Sequence, residues 1–171
     1  MATRVRRSTG RGRPRTARPK VDRGTPELRA KRQAMVGGAD PVLAEHPLGI
    51  LYARDILDAD QYRAGLRYAF LFGKVYGRTT AATGELERLS GGDAGPDLSD
   101  RDAERYEADL RRARACLLAV GRAAKDAVDN VAVYERPPAW LFRGRPAPGA
   151  RRPLVEGLRA LDALFTRPRK I

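Results

Sequence analysis

The sequence predicts an all-α fold, a helical bundle of about five helices behind a disordered basic N-terminal arm. Three observations carry that reading. Apolar residues recur at helical spacings of three and four along the long segments. No stretch of useful length alternates apolar and polar residues as a half-buried strand does. Capping residues, prolines and glycines stand where such helices would begin and end. With 42% hydrophobic residues in a chain of 171, a modest core can be buried.

Residues 1–24 hold Gly and Pro throughout and lack apolar periodicity. They cannot bury enough surface to offset the entropy of ordering, so they are expected to be disordered in isolation. A single helical domain is expected over 25–171, with internal loops at about 78–98 and 141–152. Its first helix begins in GTPELRAKRQAMV, where Thr25 suits an N-cap, Pro26 the first helical position and Glu27 the positive helix start. Gly37-Gly38 ends it. Pro47 opens a short helix through about Arg54, and Asp58 caps a longer one from Ala59 to Tyr76. In that helix Tyr62, Leu66, Ala69, Phe70, Gly73 and Tyr76 share one face, while Tyr68, Leu71, Phe72 and Val75 add a second. Such a helix belongs at the centre of the core, and Gly77 stops it.

From Arg78 to Leu98 the chain is small and polar; SGGDAGPD reads as a loop and TGELERL is compatible with a short helix. Ser99 with Asp102 approximates a capping box. Behind it Tyr106, Leu110, Ala113, Leu117, Val120, Ala124, Val128 and Val131 form a stripe with one slip, either one long helix or two meeting at Gly121. The stripe is longer than a small monomer needs, so pairing with a second copy is expected. Pro137 and Pro138 forbid continuation, and Trp140 is expected to anchor on the core. RGRPAPGARRP is a second loop. The last helix starts near Pro153, buries Leu154, Leu158, Leu161 and Phe165, and ends in the basic RPRKI.

Charge is distributed unevenly. Residues 1–32 carry twelve Lys/Arg against Asp22 and Glu27, a net +10; residues 33–140 carry fourteen against seventeen acids, a net −3; residues 141–171 carry eight against two, a net +6. Basic ends on a mildly acidic middle attract polyanions, nucleic acid above all. Arginine outnumbers lysine 29 to 5, as codon bias in a GC-rich genome would give, so the clustering carries more information than the choice of Arg.

Within TGRGRPRTARPK, the core Arg11-Gly12-Arg13-Pro14, with Gly10 before it and Arg15 after, resembles an AT-hook; ARPK (Ala17–Lys20) is half of one, lacking the glycine. The resemblance covers six to twelve residues. It implies that Gly12 sits against the floor of a narrow minor groove, that Pro14 holds the strand extended, and that Arg11 and Arg13 lie along the groove toward A·T acceptors. Sequence-neutral phosphate contact by a basic tail is the competing reading, and RNA is a competing ligand, since arginine-rich segments also fold onto RNA. The arm residues expected to contact nucleic acid are Arg4, Arg6, Arg7, Arg11, Gly12, Arg13, Pro14, Arg15, Arg18 and Lys20. A secondary set, Arg151, Arg152 and Arg159, would face a groove if the last two helices formed a degenerate helix-turn-helix, although the loop between them is far longer than the usual turn.

Nothing recommends an enzyme. Asp55, Asp58 and Asp60 are close in sequence, but capping and helix-start charge account for them better than metal binding. The acids Asp93, Asp97, Asp100, Asp102 and Glu104 read as loop and helix-start residues. His46, the only histidine, is expected to hydrogen-bond in a loop, and Cys116 to be a small buried thiol. No cofactor or metal set is expected. No apolar run approaches the roughly 18–20 residues of a membrane span. Arg6 and Arg7 are not followed by an apolar export segment, and a lone cysteine points to the cytoplasm. A basic arm before a helical body resembles, in outline, small bacterial and phage DNA-binding proteins such as small terminase subunits and phage regulators. That outline implies a DNA-handling role, with a protein-interaction module tethered by its tail as the rival.

Overall fold

The computed structural model describes residues 25–77, 100–142 and 149–166. The expectations for the arm, for the 78–98 loop, for the Ser99 cap and for the RPRKI end lie outside the described residues. The described chain is all-α: six helices with short 3-10 and π turns, and no strand among the described residues.

Helix α1 spans Pro26–Met35, with the Leu28 N–H donating to Thr25 Oγ1 at 3.3 Å and Pro26 in the first turn, as the sequence predicts. None of its own residues is buried; Val36, just after it, is the plug that enters the core. A 3-10 turn, Pro41–Glu45, follows, capped by Asp40, and the Arg32–Glu45 ion pair at 3.3 Å ties α1 to it. This turn has a sequence signal, an N-cap residue followed by proline, that apolar periodicity passes over.

Helix α2 spans Pro47–Ala53 and is buried over its first five residues. It crosses the 3-10 turn so closely that a Cβ on Gly49 would lie 2.2 Å from the Leu43 carbonyl oxygen. Helix α3, Ala59–Tyr76, has the bounds that Asp58 and Gly77 imply. Asp58 Oδ1 accepts from the Gln61 N–H at 2.7 Å, Gln61 Oε1 accepts from the Asp58 N–H at 3.2 Å, and Gly77 takes the left-handed conformation. Both of its apolar faces are used: Tyr62, Leu66, Tyr68, Ala69, Leu71 and Phe72 are all buried, because neighbours cover it on more than one side.

The 99–134 stripe divides. Helix α4 is Asp100–Val120 and helix α5 is Arg122–Val128, separated by Gly121 at φ 144° and ψ 157°, a conformation that side-chain-bearing residues rarely adopt. This division is why six helices stand where about five are expected. Leu110, Ala113, Leu117, Ala124, Val128 and Val131 are buried as the stripe predicts, but Val120, next to the break, is 40% exposed. The stripe packs on α3 and on the last helix within the chain. Beyond α5 the backbone widens into a π turn, Asp129–Val133, then passes through Glu135 at φ 52° and Pro137-Pro138 to a 3-10 turn, Ala139–Leu141. Leu141 is buried there and Trp140 is half-buried. Helix α6, Arg152–Thr166, closes the bundle by burying Leu154, Leu158 and Leu161 against α3, α4 and α5, while Phe165 is half-buried under the Arg67 guanidinium at 4.5 Å.

Gly49→Ala is expected to destabilise the protein by about 1–3 kcal/mol, because the clash is with backbone rather than a flexible side chain. A thermal melt followed by circular dichroism, with α3-surface substitutions as controls, measures it.

Candidate nucleic-acid interface

The arm residues Arg4, Arg6, Arg7, Arg11, Gly12, Arg13, Pro14, Arg15, Arg18 and Lys20 lie outside the described residues. The carboxyl-terminal three are described, and all are exposed. Arg152 Nε donates to Glu156 Oε1 at 2.8 Å, one turn along α6, so its charge is locally balanced. Arg159 is exposed on α6, a helix whose apolar side is held by three neighbouring helices. Arg151 differs: its guanidinium carbon stands 5.5 Å from the Trp140 ring centroid.

Trp140 is the common wall of two adjoining clefts. One, about 270 Å³, is lined by Arg54, Ile56, Trp140, Leu141 and Arg151. The other, about 260 Å³, has Pro137, Pro138 and Trp140 as flat walls, with Asn130 and Arg136 supplying its polar groups. Among the described residues no acid lines either cleft. Arg54 is also a structural clamp. Its Nε donates to the Met35 carbonyl at 2.9 Å and its Nη1 to the Leu141 carbonyl at 3.0 Å, which joins the end of α1 to the Trp140 turn. Those bonds use two of the five guanidinium N–H groups. Phe142, 51% exposed, lies under the same guanidinium at 5.8 Å.

The segment carrying Trp140 is aimed by a buried polar cluster at its other end. Asp129 opens the π turn; the Tyr68 O–H donates to its Oδ1 and the Lys125 ammonium to its Oδ2, both at 2.6 Å. Asp129 is 7% exposed, so without these partners the desolvation of its carboxylate would be uncompensated. Burial, with the Asp129 bond second, pushes the Tyr68 hydroxyl far above the ordinary phenol range, and Arg114 alongside opposes this. Arg114 Nη1 donates to the Tyr76 hydroxyl at 2.9 Å and the guanidinium stacks on Phe72 and Tyr76.

His46 hydrogen-bonds as expected, in the capping position of α2: Nδ1 accepts from the Leu48 N–H at 3.0 Å. That bond places the ring proton on Nε2, which is buried on the side of the Ala132 carbonyl. Burial pushes the imidazole pKa down; Glu135 and the Ala132 carbonyl act in the opposite sense. Asp58 caps α3, Asp60 pairs with Arg63, and Asp55 occupies the left-handed turn that ends α2. Cys116 is half-buried rather than buried, its thiol donating to the Ala160 carbonyl at 3.5 Å. Among the described residues no three His, Cys, Asp or Glu side chains gather as metal ligands, and no helix is long and apolar enough to cross a membrane.

Comparison of the chain with protein-family models, with curated proteins and with solved structures returned no match.

Sequence reasoning found Arg151 and Trp140 separately but not Arg54, Asn130 and Arg136 beside them. Arg136 and Asn130 flank the Pro-Pro-Ala-Trp run and were open to discovery as basic and amide neighbours of an aromatic residue. Arg54 was not, because its partner Leu141 is 87 residues away.

Tyr68→Phe is expected to cost about 1.5–3 kcal/mol in urea denaturation, since it leaves a buried carboxylate oxygen without its donor. The His46 shift has a sign: the imidazole titrates lower in the folded state than its unfolded value of about 6.5, so its contribution is whole above that pH and declines as pH falls below it. His46→Asn, which keeps a capping oxygen and removes the titrating ring, is expected to flatten the loss of stability between pH 7.5 and pH 5.5.

Proposed function

We propose that this protein binds nucleic acid without catalysing a reaction, with DNA favoured over RNA, and that its basic amino-terminal arm makes the capture. The observation that carries this reading is the net +10 charge of residues 1–32 beside a middle of net −3. A charge of that density releases counterions from a phosphate backbone, which supplies affinity without sequence readout. On the body, Arg63, Arg111, Lys125 and Arg152 each sit on an acid, which balances those four charges locally. The Arg-Gly-Arg-Pro core at Arg11–Pro14 adds a route to A·T preference through the minor groove. The resemblance in outline to small bacterial and phage DNA-binding proteins supports a role in DNA handling or regulation.

A second reading, a protein-interaction or oligomerisation module with the arm as a non-specific tether, is favoured by one observation. Leu118 and Val120 are 53% and 40% exposed at the end of α4, beside the Gly121 break. Light scattering that returns a multiple of the chain mass, lost on Leu118→Ser, supports it.

Binding to A·T-rich duplex, G·C-rich duplex and structured RNA across a salt series tests the main reading. Arg11→Ala with Arg13→Ala is expected to weaken DNA binding and make the log K against log salt slope shallower by about two. A·T preference is expected to disappear in Arg13→Ala alone. Retention on all three polymers that is indifferent to these substitutions sinks the proposal.

A further inference from the structure

The two clefts on either side of Trp140 differ in chemistry in a way that matches the two halves of a nucleotide. The cleft between Arg54 and Arg151 is cationic, has no acid among its described lining residues, and leaves N–H groups of Arg54 unused that can reach a phosphate oxygen. Its neighbour is mostly apolar, walled by Pro137, Pro138 and Trp140, with Asn130 and Arg136 as its polar lining residues. A base needs both properties: a face to stack and a polar edge to satisfy. At about 270 and 260 Å³ each cleft lies below the roughly 300–1,000 Å³ of drug-sized pockets, so each suits a fragment rather than a whole ligand.

We infer that this double cleft is a second nucleic-acid site, on the folded body, which takes one nucleotide unit of a single strand. The phosphate lies between Arg54 and Arg151, and the base stacks in the slot of Pro137, Pro138 and Trp140 against Asn130. A paired base cannot enter such a slot without leaving its stack, so the site selects single strands over duplex. An acidic peptide would satisfy the arginines but leave the flat apolar slot without a matching group. The sequence adjoining Phe142 strengthens the assignment of ligand class: Arg143-Gly144-Arg145-Pro146 repeats the residue order of Arg11–Pro14. Those four residues lie outside the described ones and form no part of the site. The inference shares with the proposed function only the ligand class, nucleic acid, and does not depend on the arm.

Trp140 is the only tryptophan, so its emission reports on this site alone. The full chain is titrated with short oligo(dT) while Trp140 emission is recorded, and in parallel with a labelled oligo(dT) read by anisotropy. Saturable quenching is expected. Arg151→Glu and Asn130→Asp, both at exposed positions, are expected to raise its midpoint by at least about fivefold with unchanged melting temperature. Arg11→Ala with Arg13→Ala is expected to weaken anisotropy-detected binding yet leave the full quench at saturation. Binding by anisotropy without a change in Trp140 emission overturns the site and leaves the arm reading standing. A full quench with affinity unaltered by the arm substitutions supports the site and counts against the arm. An abasic strand, a duplex or poly-glutamate that quenches with the same midpoint as oligo(dT) overturns the base slot, the single-strand preference or the ligand class respectively. Absence of binding in both readouts overturns both proposals.

Discussion

The Asp129 carboxylate is the point on which the arrangement of the bundle and its candidate interface depends. A buried carboxylate loses several kcal/mol of hydration, and here the loss is offset by a phenol from α3 and an ammonium from one turn earlier on its own chain, both at 2.6 Å. The Tyr68 bond fixes where α5 ends relative to α3, which apolar packing by Val128 and Leu117 leaves less sharply defined, and the Lys125 bond holds the carboxylate from within α5. They also fix where the π turn begins. In that turn the Tyr134 N–H reaches back to the Asp129 carbonyl and the Arg136 N–H to the Asn130 carbonyl, so the chain leaves the helix with a set direction. Trp140 follows within a few residues. Its turn is therefore held at one end by the Asp129 cluster and at the other by Arg54, two polar attachments where an unsupported loop would wander.

Electrostatics divides along the same lines. Much of the body's charge is arranged as pairs one helical turn apart, which contribute little to stability at exposed positions and leave little net field. Arginines that stack on aromatic rings behave differently. Arg151 over Trp140 and Arg54 over Phe142 rest on aromatic rings, with no acid among the described residues lining their cleft, and Arg54 is also held by two carbonyls. An ordered cation loses less freedom on meeting an anion than a solvated one does.

How much of this was legible depends on distance along the chain. Helix boundaries that rest on local chemistry were readable to the residue: Thr25 and Pro26, Asp58 with Gln61, and Gly77 each act within four positions. The stripe on α4 and α5 was readable in period but not in consequence. Its apolar residues do not reveal whether a partner helix comes from the same chain or another, and α3 with α6 supplies that partner here. The π turn was invisible, because a one-residue widening shifts the phase of the periodicity by an amount easily taken for a slip. The polar contacts that orient the interface join residues 61 and 87 positions apart, and no local pattern encodes either. His46 shows the intermediate case: its capping role follows from the proline after it, whereas its burial follows from the later arrival of the 129–135 segment.

Arg54 also brings together two parts of the molecule that the sequence keeps apart. The carbonyl its Nε holds belongs to Met35, the last residue of α1, and α1 is the element into which the basic arm runs. A ten-residue helix is about 15 Å long, so Thr25 stands only about that far from the residue clamped beside the Trp140 turn. Were the proposed arm and cleft contacts to engage one polyanion, this spacing would give each a high effective concentration with respect to the other. Because α1 buries none of its own residues, the geometry of that pairing rests on the Val36 plug, the Arg32–Glu45 pair and the Arg54 clamp rather than on packing along the helix. Of these only the clamp touches both α1, at its far end from the arm, and the cleft.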